Sequence, residues 1–358
     1  MRDRRVDMSP RSFVYQIRAA RGGGWRRSLR SVRVVSLLPS TTEILFAIGA
    51  GDSVVGVTFE CDYPHEARSR RVVSTTALLG GSTPGEIDAE VNAKIAAGEE
   101  LYLLDEGALR ELDPDLLVTQ DLCAVCAVDV KTVDEALVHL GCRSAVLTVN
   151  PQRLDDVLGS IFTIGEAVGR PDAARELVDV LDTRLREVKD AVAERPRPRV
   201  AVLEWTDPPF DAGHWIPDMI ETAGGVSVLG DSGRPSRRID WAEVDRVSPE
   251  ICVVTPCGYH LDDAVGLAAD LISSGTLPTD CRVWAVDADS SFVRPGPRLV
   301  DGVEALAGIF HPDAVPIRSD LAYYVGTTSA KTKPSRSTTS PTVTSSGKEN
   351  PGPSTANV

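Results

Sequence analysis

Apolar strand-like runs alternate with helix-like text along most of this chain, and the alternation is written twice. In the first half RVVSLLPS (33–40), SVVGVT (53–58), LLVTQD (116–121) and SAVLTV (144–149) read as strands. TTEILFAIGAG (41–51) and VKTVDEALVHLG (130–141) carry helical spacing, the former stopping at glycine. In the second half RVAVLEW (199–205), ICVVTP (251–256) and VWAVDA (283–288) are strands, and PDMIETAGG (217–225), LDDAVGLAADLI (261–272) and LVDGVEALAGIF (299–310) are helices. Continuous apolar strands separated by helices demand a parallel sheet covered on both faces. Each half also has a helix, then Asp-Pro-Asp (113–115) or Ser-Pro-Glu (248–250), then an apolar strand. That repetition predicts two similar α/β lobes.

Between the halves, from Arg153 to Glu194, apolar residues recur at three and four: Leu154, Val157, Leu158, Ile161, Ile164, then Leu177, Val180, Leu181, Leu185, Val188. Gly-Arg-Pro at 169–171 interrupts the run once. The expected organisation is a basic disordered arm (1–31), an N-terminal α/β lobe (32–152), bridging helices (153–196), a C-terminal α/β lobe (197–326) and a disordered Ser/Thr/Pro tail (327–358). A cleft between two lobes is a preferred ligand location, and a rigid helical connector keeps lobe motion small.

The formal net charge of −14 argues against a nucleic-acid partner, which needs a basic face. Seven cysteines do not form a disulfide framework in a chain this long; Cys142, Cys252 and Cys281 read as small buried hydrophobes. The arginine-rich first 31 residues are not followed by the apolar stretch of a secretory signal, so a cytoplasmic location is expected over an extracytoplasmic one. A monomer is expected. The chain contains no GxSxG, HExxH or Walker loop, and no GxGxxG after a strand, so no catalytic residue and no cofactor are assigned and the chain is not expected to be an enzyme.

In RVVSLLPSTTEILFAIGAGDSVVGVT, Ser40, Thr41 or Thr42 can cap a helix and Glu43 suits its first turn. This phrase, with ECDYPHEA (60–67), EWTDPPFDAGHWIPDMIETAGG (204–225) and VDADSSFVRPGPRLVDGVEALA (286–307), resembles in collinear order the cobalamin and iron-siderophore type of ABC-transporter solute-binding proteins. The resemblance covers about Arg33 to Ile309 and implies two Rossmann-like lobes with parallel sheets joined by a long bridging helix. It further implies cobalamin or a related corrinoid as the ligand, and an ABC permease as partner.

A corrin ring is large, flat and apolar, and wants aromatic walls with a few polar groups. Carried over residue by residue, the family's pocket-facing positions are Tyr63, Trp205, Phe210, His214, Trp215, Phe292 and Arg294. Trp205 also suits a strand-end core position, and Trp241 suits core, surface or pocket. His214 is a candidate axial metal ligand. Cys123 and Cys126 form a CxxC after a strand, a weak metal or redox candidate, with Cys61, Cys257 and His260 in comparable strand-exit loops. Glu106 and Glu243 lie near the family's permease-docking carboxylates, although their spacings to Pro114 and Pro249 differ. Alternatives are a haem or iron-siderophore cargo, or a cytosolic thiol or corrinoid-handling enzyme using the CxxC.

Overall fold

The structure, a computed structural model, describes residues 32–79, 83–120 and 144–329, and the backbone of 15–18. The N-terminal sheet holds β1 (Tyr15–Arg18), β2 (Val34–Ser36), β3 (Val54–Thr58), β4 (Arg71–Thr76), β5 (Tyr102–Leu104), β6 (Leu116–Thr119) and β7 (Ala145–Val149). Its order is β1-β7-β6-β2-β3-β4-β5, parallel except for β1 on β7 and β5 on β4. The C-terminal sheet runs β10 (Val226–Ser227), β8 (Arg199–Thr206), β11 (Ile251–Val254), β12 (Arg282–Val286), β13 (Ala322–Thr327), with β9 (Pro209–Asp211) folded back antiparallel on β8. The first six described helices are α1 (Pro39–Ala47), α2 (Pro84–Ala97), α3 (Glu106–Leu112), α4 (Leu154–Ala167), α5 (Pro171–Val192) and α6 (Ile216–Thr222). The C-terminal lobe adds α7 (Trp241–Val247), α8 (Leu261–Ser274), α9 (Ala288–Ser291) and α10 (Leu299–Phe310).

The fold is thus the two-lobed α/β arrangement expected, and it differs from the expectation in three places. Tyr15–Arg18, expected to be part of an unstructured arm, forms an antiparallel edge strand in register with Val146–Val149. β13 closes the other sheet, and Thr328 accepts a 3.0 Å hydrogen bond from Cys281 N, so the second lobe extends past 326. The bridge is the pair of helices that the interrupted spacing over 153–196 predicts, not the single long helix that the family resemblance implies. The break at Gly169 (φ 74°) turns the chain, and Gly165 admits close approach: a Cβ there would meet Ala174 Cβ at 2.4 Å. The 130–141 helix expectation falls outside the described residues.

The predicted duplication is physical. α3 is capped by Asp105, which accepts from Ala108 N at 2.9 Å, and α7 by Asp240, which accepts from Glu243 N at 2.7 Å. Both helices end eight positions after the cap on a left-handed residue, Asp113 (φ 41°) or Ser248 (φ 43°), followed by a Pro that lies two residues before the next strand. In each lobe an arginine entering the first strand ties this corner. Arg33 donates to Leu112 O (2.6 and 3.0 Å) and its N–H to Asp115 (2.8 Å). Arg199 does the same to Val247 O (2.5 Å) and Glu250 (3.3 Å).

Three apolar clusters form the core. One fills the outer face of each sheet, around Leu109 and Val73 in the first lobe and Val254 and Ala268 in the second. The largest is shared: it runs from Val34, Leu116 and Leu147 through Leu158, Ile161, Leu181 and Leu185 of the bridge to Val202, Ile251 and Phe310. On α5 the buried face is Ala174, Val178, Leu181, Leu185, Val188 and Val192; Val180, read as apolar-face text, is half exposed. Arg184 fastens α5 to α10 through Asp301 and Glu304.

Candidate functional site

The C-terminal ends of the parallel strands meet where the lobes face each other, the usual ligand position in open α/β sheets. After β3 come Phe59, Glu60, Cys61, Asp62 and Tyr63; after β11, Thr255 to His260; after β12, Asp287 to Arg298. The RPGPR turn (294–298) places two guanidiniums four residues apart at the start of α10, and both reach into the N-terminal lobe.

Arg294, only 8 % exposed, is the centre of this contact. Its Nη1 lies 2.5 Å from Asp62 Oδ1 and 3.4 Å from Glu43 Oε1, and its Nη2 lies 2.5 Å from Asp289 Oδ2 and 3.3 Å from the Glu60 carbonyl. Arg298 takes both oxygens of Glu43, at 2.5 and 2.9 Å, and its guanidinium stands 4.3 Å from the centre of the Tyr63 ring. Glu43 therefore does not serve the α1 dipole. The helix starts at Pro39, and Glu43, buried in its second turn, anchors the opposite lobe. Ser40, Thr41 and Thr42 do not cap it: the N-cap is Leu38, and the hydroxyls of Thr41 and Thr42 donate back to Leu38 O at 3.1 Å.

Five carboxyls (Glu43, Glu60, Asp62, Asp287, Asp289) crowd around two guanidiniums here. Burial pushes Glu60 up to about 7, helped by Asp289 and Asp62 and opposed by Arg294 and Tyr102. Burial likewise raises Asp289, with Asp62 and Asp287 adding to the effect against the pull of Arg294. Burial would raise Asp62 too, but the Arg294 hydrogen bond and charge hold it below its ordinary value. Burial would lower Arg294, and Asp289, Asp62 and Glu43 more than offset that. His260, more than half exposed, lies beside this group: Nδ1 is 3.2 Å from Asp287 Oδ1 and Nε2 is 3.8 Å from Asp289 Oδ2. Single ligand atoms of Asp62, His260 and Asp289 fall within 4.8 Å of one another, the one metal-competent group among the described residues.

The aromatic rim comes from both lobes. Trp205, half-buried, donates its indole N–H to Pro84 O of α2 across the gap (3.2 Å) and packs edge-on against Tyr259, with ring centres 5.8 Å apart. Phe210 pairs with Trp205 in the β8–β9 register. Tyr63, 50 % exposed, and Phe59, 40 % exposed, face solvent on the N-terminal side.

Of the residues singled out from the sequence, the structure brings Tyr63 under Arg298 close to Arg294, and Trp205 beside Phe210 on the β8–β9 hairpin. Trp215 and Phe292 are corrected to core. Phe292 is fully buried, and Trp215 is 5 % exposed with its indole N–H spent on Phe292 O at 2.7 Å. His214 adopts φ 49° on the connection after β9, bound through its backbone to Gly233 and Arg234 and through its ring to Trp215. Its Nε2 is buried without a partner and burial pushes its pKa down; no contact joins it to the strand-exit carboxyls among the described residues.

Glu106 and Glu243 are not structural equivalents. Glu106 opens α3, whereas Glu243 is the third residue of α7 and is held by Arg237 at 2.9 and 3.3 Å. Trp241 packs partly buried against the outer-face core. Cys61 is buried against Thr42 Oγ1 (3.0 Å), with burial pushing its thiol up to about 12; Cys252 and Cys281 are buried as expected, and Cys257 is exposed. Cys123, Cys126 and Cys142 lie outside the described residues. Sequence reasoning missed Glu43, Glu60, Asp62, Asp289, Arg298 and Tyr259. The signal available was charge: RPGPR and ECD each put ionisable groups at strand exits that otherwise read as apolar text.

Two α/β lobes sharing one core, with ionic and aromatic groups meeting where the strand ends oppose, define a two-lobed solute-binding architecture. The chain belongs to the periplasmic binding protein family, whose model matches residues 34–274. It is 28 % identical over 293 residues to an uncharacterised ABC transporter substrate-binding lipoprotein of Bacillus subtilis, covering 78 % of this chain and 80 % of that one. It is 27 % identical over 290 residues to a cobalamin-binding protein of Halobacterium salinarum, covering 78 % and 69 %. Among solved structures, a periplasmic haem-binding protein of Pseudomonas aeruginosa matches with a TM-score of 0.62 at 20 % identity (84 % and 100 % covered). The periplasmic vitamin B12-binding protein of Vibrio cholerae matches with 0.58 at 20 % (79 % and 97 %). These two likenesses bear on the fold alone. No described helix is long and apolar enough to cross a membrane. The expectation of a cytoplasmic location finds no support in these relatives.

Proposed function

We propose that this protein binds a cobalamin-type corrinoid in the gap between its lobes and presents it to an ABC permease outside the cytoplasmic membrane, making and breaking no covalent bond in its ligand. The observation that carries this reading is that both lobes bring aromatic side chains to the strand exits beside the Arg294 ion network, Tyr63 under Arg298 from one and Trp205 with Tyr259 from the other. Rings of this kind suit the apolar faces of a corrin, and the carboxyls and guanidiniums around Arg294 suit its peripheral amides. The floor is more polar than an apolar slot, which favours a ligand edged with hydrogen-bonding groups. The cobalamin-binding relative from Halobacterium salinarum supports the same cargo.

The test is titration of the purified protein with cobalamin, followed by calorimetry and visible absorbance, with haemin and a ferric siderophore in parallel. Heat and a spectral change at micromolar cobalamin are expected. Saturation by haemin or by the siderophore with no response to cobalamin would replace the cargo, and no response to any of them would overturn the reading.

A further inference from the structure

We infer that the chain between β4 and β5, with α2 at its centre, is a gate at the mouth of the gap, latched through Pro84 and Gly85 onto the β8–β9 hairpin of the other lobe and unlatched to admit and release cargo. The gate presupposes the reading of the gap as the cargo site and adds how cargo enters and leaves.

β4 and β5 pair antiparallel, with Thr76 opposite Tyr102. A turn of about 2–5 residues is enough to join such neighbours. Here the connection takes residues 77–101 and contains a helix. β4 runs parallel to β3 and ends beside the β3 exit, so the connection leaves and returns at the end of the sheet that faces the other lobe. It meets that lobe at the first residues of α2. The Pro84 carbonyl accepts the Trp205 indole N–H at 3.2 Å. Gly85 comes so close to the hairpin that a Cβ there would lie 2.8 Å from Asp207 Oδ2. The helix then runs back to Gly98 (φ 69°) and β5.

The two ends of this contact differ in firmness. The Thr83–Glu86 capping box, with bonds of 3.0 and 3.3 Å, presents the helix start as a stiff edge. Yet only Pro84 and Val91 of α2 are buried, and Val91 with Ile87 ties the helix to the core of its own lobe. Across the gap it has one hydrogen bond and one close approach, a light tie. The other ties between the lobes are heavy: the core shared through α4 and α5, and Arg294 and Arg298 on Asp62 and Glu43. Lobes held in this way do not part for a bulky cargo, whereas a mostly exposed helix on a light latch does move aside. The latch is set on Trp205, an aromatic of the proposed site, so the gate closes on the site itself.

A reversible lock tests this. A Cβ on Gly85 would be 3.3 Å from Asp207 Cγ, which puts the two Cβ atoms about 4–5 Å apart, within reach of a disulfide. Gly85→Cys with Asp207→Cys is oxidised by copper phenanthroline, with wild-type protein treated identically to account for its own cysteines, and cyanocobalamin uptake is followed by stopped flow. The cross-linked protein should take up cyanocobalamin at least about a hundredfold more slowly than its reduced form, and dithiothreitol should restore the rate. Cargo loaded before oxidation should be retained. Gly85→Asp, which sets a carboxylate against Asp207 at a helix start that tolerates it, should raise association and dissociation rates about threefold or more with little change in Kd. Cross-linked protein that exchanges cargo as fast as the reduced form overturns the gate, as does a cysteine pair that folds without cross-linking, or Gly85→Asp with unchanged rates; if the cysteine pair does not fold, Gly85→Asp decides alone. In each of these cases binding by wild-type protein leaves the cargo reading standing. Should haemin or the ferric siderophore replace cobalamin as cargo, the same rates are read with it, and wild-type protein that binds none of the three removes both claims.

Discussion

Replacing Glu60 by Gln removes an ionisable group that the fold holds at an unfavourable protonation equilibrium. Glu60 sits at the exit of β3 among Asp62, Asp289, Arg294 and Tyr102, and burial lifts its pKa from 4.5 to about 7. A carboxyl raised in the folded state contributes stability that is fully present below the unfolded value and is lost as pH rises through the folded one. Linkage over that interval gives a loss of about 1 kcal/mol at pH 5 and about 3 kcal/mol at pH 8.5, so the wild-type protein should lose about 2 kcal/mol between them on this account. Gln keeps the size and the hydrogen-bonding capacity but does not titrate. The assay is urea or thermal unfolding of both proteins from pH 5 to 8.5. Glu60→Gln should unfold close to wild type at pH 5 and several degrees higher at pH 8.5, since each kcal/mol is worth about 2–4 °C in a chain of this size. Comparing the two proteins cancels the other titrating groups. A wild-type-minus-variant difference that does not change with pH, or that changes in the opposite sense, refutes the reasoning.

Arg294→Met should cost about 3–5 kcal/mol, because it leaves Glu43, Asp62 and Asp289 facing one another without their shared cation; denaturant midpoints check it, and a loss under about 1 kcal/mol would show that the network is not anchored there. Phe292→Ala should also cost about 3–5 kcal/mol as a core cavity, yet the protein that remains folded should bind cobalamin like wild type in calorimetry. Trp205→Ala should weaken cobalamin binding about tenfold or more, since the ring that joins Tyr259 to the opposite lobe is lost; unchanged affinity would take the aromatic pair out of the site. Arg199→Met should cost about 1 kcal/mol by removing the guanidinium from the Val247 carbonyl at the strand corner while the backbone N–H keeps Glu250, read from urea unfolding.

Strand and helix periodicity made the lobes legible, because Val, Ile and Leu buried on both faces leave no other arrangement. The same logic found the Asp-Pro-Asp and Ser-Pro-Glu corners, although not the arginines that fasten them. What escaped were features fixed by distant sequence. Glu43 reads as an ordinary first-turn acid until Arg294 and Arg298, some 250 positions later, bury it. Trp215 and Phe292 were assigned to the pocket only by carry-over from the resembling family, and an aromatic beside a turn looks the same in sequence whether it faces solvent or the core. β1 and β13 were missed because an edge strand needs only one partner and carries a weak apolar pattern.

The apolar cluster that passes through α4 and α5 has a thermodynamic consequence. Neither half of the molecule owns enough dry interior on its own side of the bridge to melt without exposing surface on the other. The chain should therefore denature in one cooperative step, and a ligand that grips only the strand exits raises the melting temperature of the whole molecule. Thermal shift then becomes a direct gauge of cargo affinity, whichever lobe supplies the contacts.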